Sequence, residues 1–129
     1  MLRDPKVGDA AELSFRVEAN HCIELDEGVP AVLSTPSLIW FLEQAARKML
    51  ATIEEKGEGS VGVQVDVKHL AATPLGKHVT CSARVVHRDG NNVSFQVQAH
   101  DEQELIARGV HKRHLIQLDR FAKSVQKKM

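Results

Sequence analysis

The feature that most constrains this chain is a single helical stripe followed by strand-like segments and by no second long helix. Thr35 with Pro36 starts a helix: the hydroxyl can cap free backbone donors, and proline at the first helical position lacks only a donor that would be unpaired anyway. From there to Gly57, the residues Leu38, Ile39, Leu42, Ala45, Ala46, Met49, Leu50 and Ile53 fall within roughly 140° of a helical wheel, a broad face for a core. About twenty residues make this helix about 30 Å long, enough to cross a whole domain. The flanking segments alternate instead. Leu13, Phe15 and Val17 precede the helix; Val61, Val63, Val65 and Val67 follow it, with His69 on the valine side and Gly62 on the other. Val79, Cys81, Ala83 and Val85 form the next strand, and Arg88, Asp89, Gly90 and Asn91 a hairpin signal. Val93, Phe95, Val97 and Ala99 come next, and Leu105 to Leu115 the last. One helix and five strands leave no crossover helices for a parallel sheet. The expected class is α+β, a long central helix wrapped by an antiparallel sheet of five or more strands.

Length and charge narrow the reading further. The 129 residues suit one domain, 1–129, and the 43% apolar and 26% charged content is that of a folding chain. Residues 119–129, with Phe121 and Val125 among lysines and arginines, read as a short basic helix or a frayed tail. Lys and Arg number 17 against 17 Asp and Glu, so no net field draws a nucleic acid. No apolar run near Met1 resembles a signal peptide and no window of about 18 residues could span a bilayer. Cys22 and Cys81 lack paired-ligand spacing and read as free thiols. A soluble cytoplasmic protein, bound neither to nucleic acid nor to membrane, is expected. Ala19 to Leu33 has no sustained period and reads as a loop that could act as a lid. The exposed edges of such a sheet and the scarcity of aromatics make pairing of subunits plausible.

Three residues carry candidate chemistry. Glu43 borders the apolar stripe of the helix, about 20° from its edge, where a carboxylate is partly buried and suited to acid or base work; pairing with Arg47 is the ordinary alternative. Thr35 lies about 12 Å before it along the same helix, either as a plain N-cap or beside free N–H groups able to hold an oxyanion. His69 ends the valine strand facing inward, where a histidine is usually structural unless it meets a partner. Gly62 marks a bulge or the close approach of a ligand. His111 and His114, three apart on a strand, point to opposite faces and make a poor metal pair, and His21 with Cys22 lacks further ligands, so no metal is expected.

The segment Asp66-Val67-Lys68-His69-Leu70-Ala71-Ala72-Thr73-Pro74, with Thr35 and Glu43 upstream, resembles the fluoroacetyl-CoA thioesterase-like branch of the hot-dog-fold thioesterases. The likeness extends from the first strand to His111-Lys112-Arg113, and the intervals of eight residues from Thr35 to Glu43 and twenty-six from Glu43 to His69 both match. The resemblance implies a hot-dog fold, a homodimer with further pairing to a tetramer left open, and hydrolysis of a small acyl-CoA thioester. It implies a Thr35, Glu43, His69 site at the subunit interface, Gly62 and Arg113 near the substrate, and no cofactor beyond the coenzyme A of the substrate. Arg113 with Lys68 or Lys77 is then expected to meet coenzyme A phosphates at the rim. One departure stands out. The loop Glu27-Gly28-Val29-Pro30-Ala31 lacks the phenylalanines that form a lid in fluoroacetyl-specific members. Whether Glu43 is nucleophile or general base stays open. A non-catalytic acyl-CoA binding module, a hydratase and a purely structural dimer remain as rival readings of the same fold.

Overall fold

The computed structural model describes residues 1–129. Five long strands form one antiparallel sheet: β1 (Ala10–Arg16), β4 (Glu58–His69), β5 (His78–Asp89), β6 (Asn92–His100) and β7 (Leu105–Gln117). Their spatial order is β1-β5-β6-β7-β4, so β1 and β4 are the two edges. Helix α1 (Thr35–Ala51) connects one edge to the other beneath the sheet, and its buried residues are Leu38, Leu42, Ala45, Ala46, Met49 and Leu50. They pack on the inward residues of the central strands, among them Val79, Cys81, Ala83, Val85, Phe95, Val97 and Ala99. Burial of each large aliphatic contributes about 1.5–3 kcal/mol relative to exposure, which is what sets the helix against this face. The same burial pushes the Cys81 thiol up to about 12, leaving an inert core residue rather than a nucleophile.

Several local expectations are corrected. The helix ends at Ala51 rather than near Gly57, because Thr52 Oγ1 donates back to the Met49 carbonyl at 2.6 Å and Gly57, at φ +89°, turns the chain into β4. Its N-cap is Ser34, whose side chain accepts from the Ser37 N–H at 3.2 Å; Thr35 is the first helical residue. The loop from Ala19 is pinned by a two-residue ribbon, β2 (Cys22–Ile23) against β3 (Val32–Leu33). Of the two readings of the last residues, the short helix is the one found, as α2 (Leu118–Gln126).

The consequential irregularity lies in β4. The register with β7 shifts between Gly62, which faces Arg113, and Gln64, which faces Lys112, so Val63 is an extra residue. The bulge reverses the phase of the alternation. Gly62 therefore lies on the helix side of the sheet, the side His69 also faces, and not on the opposite face as simple parity predicted. Beyond the bulge every residue from Gly62 to Asp66 is exposed, including Val63 at 55% and Val65 at 38%.

Candidate active site

The start of α1 and the end of β4 meet. Because Ser34 serves as the cap, the Thr35 hydroxyl is released to pair with His69 Nδ1 at 2.8 Å. Pro36 has no N–H, and the Ser37 and Leu38 donors are taken by Ser34, so the Thr35 N–H is the open donor of the first turn. The His69 ring is half-buried, and its Nε2 is a buried atom with no hydrogen-bond partner in the chain. Desolvation pushes the histidine below its ordinary value, opposed by a backbone contact with Ala71. A neutral imidazole with an unengaged nitrogen suits proton transfer near neutral pH.

Glu43 sits two turns further along α1 in a second cluster. Its Oε2 is 3.5 Å from Arg113 Nη1 and 3.8 Å from His111 Nε2, while no ion pair forms with Arg47. Arg113 is 5% exposed, and its Nε and Nη2 donate to Ser60 Oγ at 2.8 Å and the Ser60 carbonyl at 2.9 Å. Its Nη1 lies 3.2 Å from His111 Nε2, and His111 Nδ1 lies 2.9 Å from the Gln64 carbonyl. Burial lowers both Arg113 and His111 from their ordinary values. Gly62 completes the cluster: a Cβ there would stand 2.5 Å from Glu43 Oε2 and 3.1 Å from His111 Cε1. The carboxylate can lie against the strand only because this position has no side chain.

Arg113 thus belongs to the floor of the site, with its fork spent on Ser60, His111 and Glu43. The expectation that it meets phosphates at a rim is corrected. Lys68 is also displaced from that role, since it pairs with Arg108 and lines a concavity with Val86, Gln96 and Val110, on the face away from α1. His111 was missed as a site residue, having been weighed only as a metal ligand. The signal lay in its strand parity with Arg113, which becomes informative once the bulge carries Gly62 to the same face.

The two clusters do not meet within one chain. His69 pairs with Ala107 and Gly62 with Arg113, six residues apart on β7, or roughly 20 Å at about 3.3 Å per residue. Along α1, Thr35 and Glu43 are separated by about 12 Å. A concavity of about 420 Å³ at the outer end of β4, lined by Val61, Val63, Ile116 and Phe121 among others, contains neither cluster.

A helix crossing a five-stranded antiparallel sheet, with a threonine and histidine at the helix start and a carboxylate on the helix flank, is the arrangement of the hot-dog thioesterases. Residues 17–119 match the family model described as fluoroacetyl-CoA-specific thioesterase. The fluoroacetyl-CoA thioesterase of Streptantibioticus cattleyicolor is 37% identical over 99 residues, 77% of this chain and 71% of that protein. The solved structure of the fluoroacetyl-CoA thioesterase FlK superimposes with a TM-score of 0.89 at 32% identity, covering 98% of this chain and 99% of that one. A variant of FlK solved in complex with fluoroacetate and CoA gives 0.82 at 33% identity, with 90% and 98% covered. A hot-dog-like protein from Thermanaerovibrio acidaminovorans gives 0.88 at 25% identity, over 97% and 93%. The chain belongs to the fluoroacetyl-CoA-specific thioesterase family, and it is a thioester hydrolase.

Proposed function

We propose that the protein hydrolyses a small acyl-CoA thioester at a site built from Glu43 of one subunit and Thr35 with His69 of its partner in a homodimer. The observation that carries this reading is His69: anchored by Thr35 at a helix start, it keeps a buried nitrogen that nothing in its own chain satisfies. Within one chain Glu43 is too distant to meet it. The exposed, valine-bearing edge from Gly62 to Asp66 supports pairing of β4 with β4 of a second copy. An antiparallel pairing of the two edges would bring the partner subunit's His69 toward the Ser60–Gly62 stretch that holds Arg113 and Glu43. Further pairing of dimers into a tetramer is compatible with the remaining free surface. The substrate assignment rests on the family and on FlK, a relative solved with fluoroacetate and CoA. The free thiols Cys22 and Cys81 favour a reducing cytoplasm.

In this site the Thr35 N–H polarises the thioester carbonyl. Glu43 takes a proton from water, whose oxygen bonds to the acyl carbon; the C–S bond breaks as His69 gives its own ring proton to the departing sulfur, and the proton held by Glu43 then restores the imidazole. Direct attack by Glu43 would use the same geometry through a mixed anhydride, and single-turnover hydrolysis in ¹⁸O-labelled water separates the routes by whether label enters the carboxylate of the enzyme. Arg113 holds the carboxylate, and Gly62 leaves it room. The loop from Asp26 to Ala31 has no aromatic residue, so no aromatic lid reads the acyl group. Acetyl, fluoroacetyl, short-chain and phenylacetyl esters assayed side by side are expected to show little preference for fluorine.

Glu43→Ala tests the reading. Thiol release should fall by about 10²- to 10⁴-fold while the melting temperature stays level or rises. Turnover near wild type would remove Glu43 from the chemistry, and saturable acyl-CoA protection against unfolding without any turnover would instead favour a binding module.

A further inference from the structure

We propose that His111 is a positioning residue that fixes Glu43 through Arg113, and that it does so as the neutral Nδ1–H tautomer. The proposal rests on the assignment of Glu43 to the chemistry, and it adds a residue that acts without touching substrate. His111 is 1% exposed and is held between three elements. On the β4 side, the Gln64 carbonyl lies 2.9 Å from Nδ1; a carbonyl only accepts, so Nδ1 carries a hydrogen. On its own strand, Arg113 Nη1 lies 3.2 Å from Nε2; a guanidinium only donates, so Nε2 offers a lone pair. From α1, Glu43 Oε2 stands 3.8 Å from the same nitrogen. The tautomer follows from the two neighbours.

The consequence falls on Arg113. Ser60 takes Nε and Nη2, and His111 takes one hydrogen of Nη1, leaving the other toward Glu43 Oε2 at 3.5 Å. The fork has no rotation left, and the carboxylate faces a fixed charged donor. A core histidine with no further role would be satisfied by Gln64 alone. Here the second nitrogen is aimed at the cation that faces the reacting carboxylate. A protonated ring would turn an N–H against Arg113. Burial, the largest influence, and Arg113 oppose that charge, the Gln64 carbonyl and Glu43 favour it, and Arg47 and Glu54 act on Arg113 from α1 and the residues after it. Because Gln64 directly follows the bulge, His111 also ties Glu43 to the edge where a second subunit would pair.

Two measurements test this. In ¹⁵N-histidine spectra of the wild-type protein, His111 should show the neutral Nδ1–H pattern from pH 8 to pH 6. A ring protonated at its Nε2, or already titrating at pH 7, would overturn the proposal, and this result does not depend on any variant folding. In the assay, His111→Phe should lower kcat by about 10- to 100-fold with KM little changed. His111→Gln, whose side-chain carbonyl can accept from Arg113, should recover part of the loss. In an Arg113→Met background, His111→Phe should have no further effect on kcat, whereas multiplication of the two losses would contradict action through Arg113. If Glu43→Ala is inactive while His111→Phe turns over normally, only this inference falls. A Glu43→Ala enzyme that retains turnover removes the reading beneath it.

Discussion

At Gly62 the position a Cβ would occupy is 2.5 Å from Glu43 Oε2, and the nearest further atom is a buried imidazole carbon. Adding a methyl group there must displace the carboxylate, the flexible end of the contact, so the cost falls on chemistry more than on the fold. Gly62→Ala should lower kcat by about 100-fold, while the melting temperature moves by only a few degrees. An unchanged kcat would mean that the carboxylate does not need its place against the strand. The two inward histidines carry a pH dependence of defined sign. His69 and His111 are both pushed below their ordinary value of 6.5, chiefly by burial. Below about pH 6.5 the unfolded chain therefore binds more protons than the folded one, and stability declines on acidification. It is fully present above about pH 7 and is lost as the pH falls from there toward the lowered folded values. Melting curves between pH 7.5 and pH 5.5 should show that decline, with a shallower slope in His111→Phe. A melting temperature that rises on acidification would contradict the assignment.

The first turn of α1 divides two roles between neighbouring hydroxyls, and variants can separate them. Ser34→Ala removes the cap and should cost about 1 kcal/mol of stability with kcat largely retained. Thr35→Ala keeps the cap and should do the reverse, sparing stability and lowering kcat. If Thr35→Ala instead destabilises and Ser34→Ala does not, the division is wrong. This turn also shows where sequence reading stops. Ser34, Thr35 and Ser37 surround Pro36 and all compete as caps, so pattern alone does not decide which hydroxyl is left for His69. The helix and the long strands were legible because their periods of 3.6 and 2 run over many residues. The bulge was not, because Val61-Gly62-Val63-Gln64-Val65 alternates without interruption and the slip is set by pairing with β7. Arg113 was misplaced for a related reason. Its burial is compensated by Ser60 and Glu43, both distant in sequence, as well as by His111 two residues away, and no local pattern reports the two distant partners. The two-residue ribbon of β2 and β3 is too short to show any period.

For the molecule as a whole, the telling fact is that one chain holds the two halves of the proposed site apart. Thr35 and His69 stand at one end of the inner face, and Glu43 with Arg113 stands further along it. Between them β4 runs as an edge with unpaired backbone and exposed valines. Thr35, Glu43 and His69 stand out in the sequence as candidates, from their types and spacing together with the family resemblance, but their separation within a chain is a property of three-dimensional geometry. No helix is long and apolar enough to cross a membrane. The most direct test co-expresses Glu43→Ala and His69→Ala chains under different affinity tags and isolates the mixed dimer. Each variant alone should be inactive. The mixed dimer should regain about half of wild-type turnover, because one of its two composite sites draws both halves from intact positions. A mixed dimer as inactive as its parents would show that the site does not span two subunits.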